Sequence, residues 1–245
     1  LFLKLFLEEE DLSLHLIVDA SASMDCGDPN KFLFAQKTAA ALGFIGLHNL
    51  HRVACSVIGG APPEVAARLR EGGPSTDEAP LAPMTTLRDV RGRRRVHDLA
   101  RYLCAVEPAG SAGFAENARR IALSRRGRGV VVVISDFFFK DGYETGLRYL
   151  LGRGYDVFAL QVLSPQEAEP DLAGDLRLRD IEDADRAEVT ISAPLLKKYK
   201  QNLAAYCDTL RTFCARREIT LLTVRTDTPM DTLILDALRS RGLLK

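Results

Sequence analysis

The chain has no excess of either charge: 33 Lys and Arg face 33 Asp and Glu. Without a net field, a general affinity for nucleic acid or for an anionic membrane surface is not expected. No apolar run approaches the roughly 20 residues that a helix needs to span a bilayer. The opening Leu1-Phe2-Leu3-Lys4-Leu5-Phe6-Leu7 is too short for a signal peptide or an anchor, and Glu8-Glu9-Glu10 follow at once. The first residue is not Met, which suggests a fragment that begins inside a longer protein.

Cysteine is sparse and scattered. Cys26, Cys55, Cys104, Cys207 and Cys214 contain no Cys-x-x-Cys pair and are odd in number, unlike a zinc site or a disulfide framework. Cys207 and Cys214 stand two helical turns apart, as on a buried stripe. The five are expected to be inert core thiols in a reducing compartment, which places the protein in the cytoplasm. Also lacking are a Lys-bearing phosphate loop, a Gly-x-Ser-x-Gly turn and a Gly-x-Gly-x-x-Gly run after a strand.

What is present is an ordinary globular composition, 47% hydrophobic and 27% charged over 245 residues. That length suits a single α/β domain spanning 1–245. Apolar periodicity places strands at 14–18, 52–58, 129–136, 155–163 and 219–224. Helices are expected at 31–50, 95–106, 115–124, 144–153, 194–217 and 230–241, the fifth opened by Pro194. The stretch 61–92, rich in Pro, Gly and charge, reads as a loop or irregular excursion. Residues 175–181 and 186–192 alternate polar and apolar, as in an exposed hairpin. The order βαβ…βαβ…βα implies a doubly wound, mostly parallel central sheet with helices on both faces, plus an inserted β-hairpin near 175–192.

In such sheets ligands bind beyond the carboxyl ends of the strands. Two strands here end in acid-bearing loops, Asp19-Ala20-Ser21-Ala22-Ser23 and Ser135-Asp136. A carboxylate followed by hydroxyls two and four residues later turns several oxygens to one point, as a hard divalent cation requires. Asp136 is placed to add a ligand or to hold a bound water. The solvent side of such a site stays open to an acidic group from a partner.

The segment Leu14-His15-Leu16-Ile17-Val18-Asp19-Ala20-Ser21-Ala22-Ser23-Met24 resembles the first strand and metal-ion-dependent adhesion site of von Willebrand factor A domains. A longer signature is similar to the bacterial domain-of-unknown-function 58 family. It comprises Phe6-Leu7-Glu8-Glu9-Glu10, Val133-Ile134-Ser135-Asp136-Phe137-Phe138, Leu163-Ser164-Pro165-Gln166-Glu167, Gly174 to Asp180 and Leu238 to Leu244. The basic segment expected upstream in that family is not in this sequence. The resemblance implies a metal site built from Asp19, Ser21, Ser23, a middle-loop threonine and Asp136, holding Mg2+ or else Mn2+ or Ca2+. Ala112, within Gly110-Ser111-Ala112-Gly113, stands where the threonine belongs and offers no side-chain oxygen; Ser111 is the substitute if the loop slips by one residue. The resemblance also implies a partner, a MoxR-type AAA+ ATPase.

Plainer readings stand beside these. Asp19, Ser21 and Ser23 also suit an Asx-turn and a helix cap, and Asp136 a solvated strand end. His48 and His51 have no third ligand at metal spacing and read as surface residues. The runs Arg91-Gly92-Arg93-Arg94-Arg95 and Arg125-Arg126-Gly127-Arg128 read as solvated loops. Phe137-Phe138-Phe139 is either core or the frame of a partner surface.

Three functional readings follow. The leading one is a non-enzymatic protein-interaction module in which a partner's acidic side chain completes the coordination of the ion. The second is a metal-dependent hydrolase or phosphatase with Asp19 as nucleophile, weakened because Ser21 replaces the second acid such chemistry uses. The third is a metal-free scaffold that keeps the fold of a decayed site.

Overall fold

The computed structural model describes residues 13–70, 84–124, 129–170, 174–179, 186–191 and 193–238. Strands β1 (Ser13–Ala20), β2 (Arg52–Gly59), β3 (Thr85–Val90), β4 (Gly129–Ser135), β5 (Tyr155–Leu163) and β8 (Thr220–Arg225) form one sheet in the order β3-β2-β1-β4-β5-β8. All neighbours are parallel except β2 and β3. Strands β6 (Gly174–Arg179) and β7 (Arg186–Ile191) pair antiparallel as a separate hairpin, where the alternating polar pattern predicts one.

The central strands are apolar on both faces because helices cover both. On one face α1 (Lys31–His48), α3 (Val96–Cys104) and the closing π-type helix Thr232–Leu238 pack on Leu16, Val18, Val57, Val132, Ile134 and Leu160. On the other, α4 (Phe114–Ser124), α5 (Glu144–Gly152) and α7 (Ala193–Ala215) pack on Ile17, Val131, Val133, Val157 and Ala159. Alternate residues of each strand thus enter alternate cores, as the two-residue period requires. The close approach of α1 and α3 depends on Gly43: a Cβ there would lie 2.2 Å from Leu99 Cδ2.

Three expectations change. The excursion 61–92 holds α2 (Pro63–Arg70) and the edge strand β3, while 71–83 lie outside the described residues. Among the residues of α2 with described side chains, Ala66 alone is buried, and β3 is largely exposed and breaks register between Val53 and Cys55, so neither carries a core stripe. The cysteines are not uniformly core: Cys55 and Cys214 are buried, Cys26 and Cys207 partly so, and Cys104 is exposed. A short helix α6 (Pro165–Ala168), not foreseen, follows β5. The basic run 125–128, and 239–241 of the last expected helix, lie outside the described residues. No helix among the described residues is long and apolar enough to cross a membrane.

The chain runs outward from β1 to β2 and β3, then returns to place β4 on the other side of β1. The carboxyl ends of β1 and β4 therefore flank the point where the winding reverses, the crevice that doubly wound sheets use for ligands.

Candidate functional site at the carboxyl ends of β1, β4 and β5

Asp19 is the penultimate residue of β1 and is buried, 1% exposed. The Ser21 backbone N–H donates to its Oδ1 at 2.8 Å, and the Ser135 hydroxyl donates to its Oδ2 at 2.6 Å. Ser135 Oγ in turn accepts from the Phe137 N–H at 2.9 Å. The Ser21 and Ser23 hydroxyl oxygens sit 3.0 Å apart. Burial, then the nearby Asp136 charge, pushes the Asp19 carboxyl up to about 7, although its hydrogen bonds to Ser135 and Ser21 oppose that rise.

Asp136, the residue after β4, is also buried. Its Oδ1 accepts from the Phe138 N–H at 3.0 Å, and its Oδ2 accepts from Lys31 Nζ at 2.7 Å. The same ammonium donates to Glu167 Oε1 at 2.6 Å. Lys31 is 0% exposed. Burial works against its charged form, but the charges of Asp136 and Glu167 outweigh that and hold its pKa above the ordinary lysine value.

Glu167 is fixed by its own helix. Ser164 caps α6, accepting from the Glu167 N–H, while Glu167 Oε2 accepts from the Ser164 N–H at 2.8 Å. This capping box leaves Oε1 for Lys31. The loop before α1 is laced to α6: the Asp28 N–H donates to Gln166 Oε1 at 3.0 Å, and Gln166 Nε2 donates to the Asp28 carbonyl at 2.9 Å. Gly27, at φ +85°, makes the contact possible, since a Cβ there would lie 2.3 Å from Ser164 Cβ. Cys26 borders this cluster, and burial pushes its thiol up to about 11.

Phe137 adopts φ +65°, a costly backbone conformation for a bulky residue. It is held by the Ser135 hydroxyl at its N–H and by the Tyr206 hydroxyl of α7, which donates to its carbonyl. Phe137 is fully buried, stacking edge-on with Phe114, Phe139 and Tyr143. Phe138 tilts against Tyr206, and its ring centroid lies 5.9 Å from Lys31 Nζ. Phe137 is thus core that braces the Asp136 turn, with Phe138 and Phe139 partly buried beside it.

The middle loop also reaches the site. The Ala22 N–H donates to the Gly110 carbonyl, and the Ala109 N–H to the Ala20 carbonyl, both at 2.9 Å. Ser111 is exposed, whereas the Ala112 methyl packs into the α4 core beside Phe114. Asp19, Ser21, Ser23 and Asp136 are therefore brought together with the 110–112 loop alongside. His48 lies elsewhere, exposed and 3.1 Å from an Arg93 guanidinium nitrogen.

The spacing of the Ser21 and Ser23 hydroxyls suits a hard cation as well as the hydrogen bond between them. Two ligands at right angles and about 2.1 Å from an ion lie about 3.0 Å apart, the separation of the two serine hydroxyls. The Lys31 ammonium bridges the carboxyls of Asp136 and Glu167, and the Asp19 carboxyl lies close enough to Asp136 to feel its charge. Among the described residues no group of three or more His, Cys, Asp or Glu side chains is disposed to hold a metal, so an ion here would depend on the hydroxyls.

Sequence reasoning missed Lys31, Ser135 and Glu167 as members of this cluster. Each left a signal. Lysine at the first position of a helix opposes the helix dipole and needs a compensating acid. Ser164-Pro165-Gln166-Glu167 is a capping-box pattern directly after a strand. Ser135 immediately precedes the acid that was named.

The sheet order, the helices on both faces and the acid-and-hydroxyl loop at the reversal of winding define a von Willebrand factor A-like α/β domain. The fold agrees with two solved structures. One is the conserved hypothetical protein BatB from Bacteroides thetaiotaomicron, with TM-score 0.54 and 13% identity, covering 95% of this chain and 99% of that one. The other is an aerotolerance-related membrane protein from Bacteroides fragilis, with TM-score 0.53 and 15% identity, covering 94% and 98%. The chain belongs to the DUF58 family of proteins of unknown function, whose model matches residues 82–223. A relative, the uncharacterized protein Rv1480 of Mycobacterium tuberculosis, is 29% identical over 244 residues, or 96% of this chain and 70% of that one.

Proposed function

We propose that this domain is a non-enzymatic protein-interaction module that presents a hard divalent cation at the carboxyl end of β1. Asp19, Ser21 and Ser23 would hold the ion, Mg2+ in the first instance, with Mn2+ or Ca2+ as alternatives. The ion would supply a positive centre for an acidic side chain of a partner protein. The observation that carries this reading is the pair of hydroxyls 3.0 Å apart beside a buried carboxylate at the reversal of the sheet. Ser111, exposed on the adjoining loop, is the further oxygen nearest in sequence to the missing threonine. The partner proposed from the family resemblance is a MoxR-type AAA+ ATPase, and the proposed location is the cytoplasm.

A hydrolase using Asp19 as nucleophile is disfavoured. Two residues after Asp19 stands Ser21, where such chemistry uses a second acid. One observation favours the metal-free scaffold instead: Asp136 is already neutralised by Lys31. Calorimetric titration of wild type and Asp19→Ala with Mg2+ and Mn2+ separates the two. Heat and a raised melting temperature in wild type only support the ion; silence in both supports the scaffold. A pull-down with the same two proteins then tests the partner, an ATPase recovered by wild type alone being the supporting result.

A further inference from the structure

The Lys31 side chain is fully buried, at 0% exposure. It crosses from the first turn of α1 to join Asp136 after β4 with Glu167 on α6. Such a group is costly to bury, and replacing the whole ion pair by well-packed apolar residues would serve stability as well. Its place is better explained by what it does to Asp136. One Asp136 oxygen is taken by the ammonium and the other by the Phe138 N–H, so that among the described residues Asp19 is the acid of the pair not bound to a cation. Glu167 anchors the ammonium from the opposite side, and its own second oxygen is committed to the Ser164 N–H.

We infer that Lys31 is a resident cation that withholds Asp136 from a divalent ion at the β1 loop and so sets the affinity of the site. This inference rests on the metal-binding reading above and concerns its strength. In the domain as it stands, ion binding depends on Asp19 and the two hydroxyls, and the Lys31–Asp136 pair contributes no net charge. With Lys31 removed, the Asp136 carboxylate regains a free oxygen and a full charge within reach of the same loop. The divalent ion then becomes the only cation able to neutralise it. Lys31 is a positioning residue in this scheme, acting through Asp136.

The test is Mn2+ titration by calorimetry of four proteins: wild type, Lys31→Met, the double variant Lys31→Met/Asp136→Asn, and Asp19→Asn. Removing one positive charge at this range in a partly screened interior is expected to tighten Mn2+ binding by at least about tenfold in Lys31→Met. Its melting temperature, lowered without metal, should recover in saturating Mn2+. The double variant, which keeps the net charge, should bind within about threefold of wild type. Equal or weaker binding by Lys31→Met overturns the inference. So does a loss of tenfold or more in the double variant, since Asp136 would then already be a ligand beside Lys31. The double variant carries the test if Lys31→Met does not fold. The parent reading is judged apart, by whether wild type binds and Asp19→Asn does not; failure of wild type and Lys31→Met alike to bind overturns both.

Discussion

Lys31 Nζ lies 2.7 Å from Asp136 Oδ2 with both side chains about 1% exposed, so an ion pair sits at the base of the crevice where ligand chemistry is expected. Breaking such a pair by deleting one member leaves a buried, uncompensated charge. Lys31→Met is therefore expected to destabilise the metal-free protein by about 3–5 kcal/mol. Urea denaturation in the presence of a chelator measures this. A loss below about 1 kcal/mol would show that the pair is solvated in solution.

Asp19 gives stability an unusual pH dependence. Its carboxyl rises from an ordinary 3.8 to about 7 in the folded protein, so the folded state binds the proton more tightly than the unfolded state. The stabilisation is fully present below pH 3.8 and is lost as pH rises through about 7. The interval corresponds to at most about 4 kcal/mol. Asp19→Asn, which imitates the protonated form, should match wild type near pH 4 and exceed it above pH 7 in metal-free urea denaturation. Parallel curves across that range would contradict the shift.

The Ser135 hydroxyl serves two groups at once, donating to Asp19 and accepting from the Phe137 N–H. Ser135→Ala leaves both without that partner, at a cost of about 1–3 kcal/mol. The loss should appear as a lower urea midpoint at unchanged slope.

Thiol reactivity should follow burial. Cys104 is exposed and is expected to react first with a thiol reagent under native conditions. Cys55, buried with its thiol pKa raised by desolvation, should react only on unfolding. Mass spectrometry of a timed labelling series gives the order, and early labelling of Cys55 would contradict the packing of β2.

The sheet was legible because its strands are short apolar runs bounded by turn residues, and β4 is so continuous that it admits no solvent-facing side. β3 and α2 were not legible, because an edge strand and a surface helix bury too little to impose a period. At the site, Asp19, Ser21, Ser23 and Asp136 could be found because each lies where a strand ends. Lys31 could not be found by that logic. Its Cα belongs to a helix start, and only the fold shows that its long side chain reaches back under the loops of two other strands. Ala112 offers no side-chain oxygen, and its methyl is buried in the cluster that includes Phe114.

The contact between Gly27 and Ser164 has a consequence for the history of the family. With Cβ room of only 2.3 Å, the loops after β1 and β5 cannot diverge independently. A relative carrying any larger residue at position 27 must have withdrawn the segment around 164–167, and with it the acid that anchors Lys31. Positions 27, 31, 164 and 167 should therefore change together across descendants, inherited as one block rather than four separate sites.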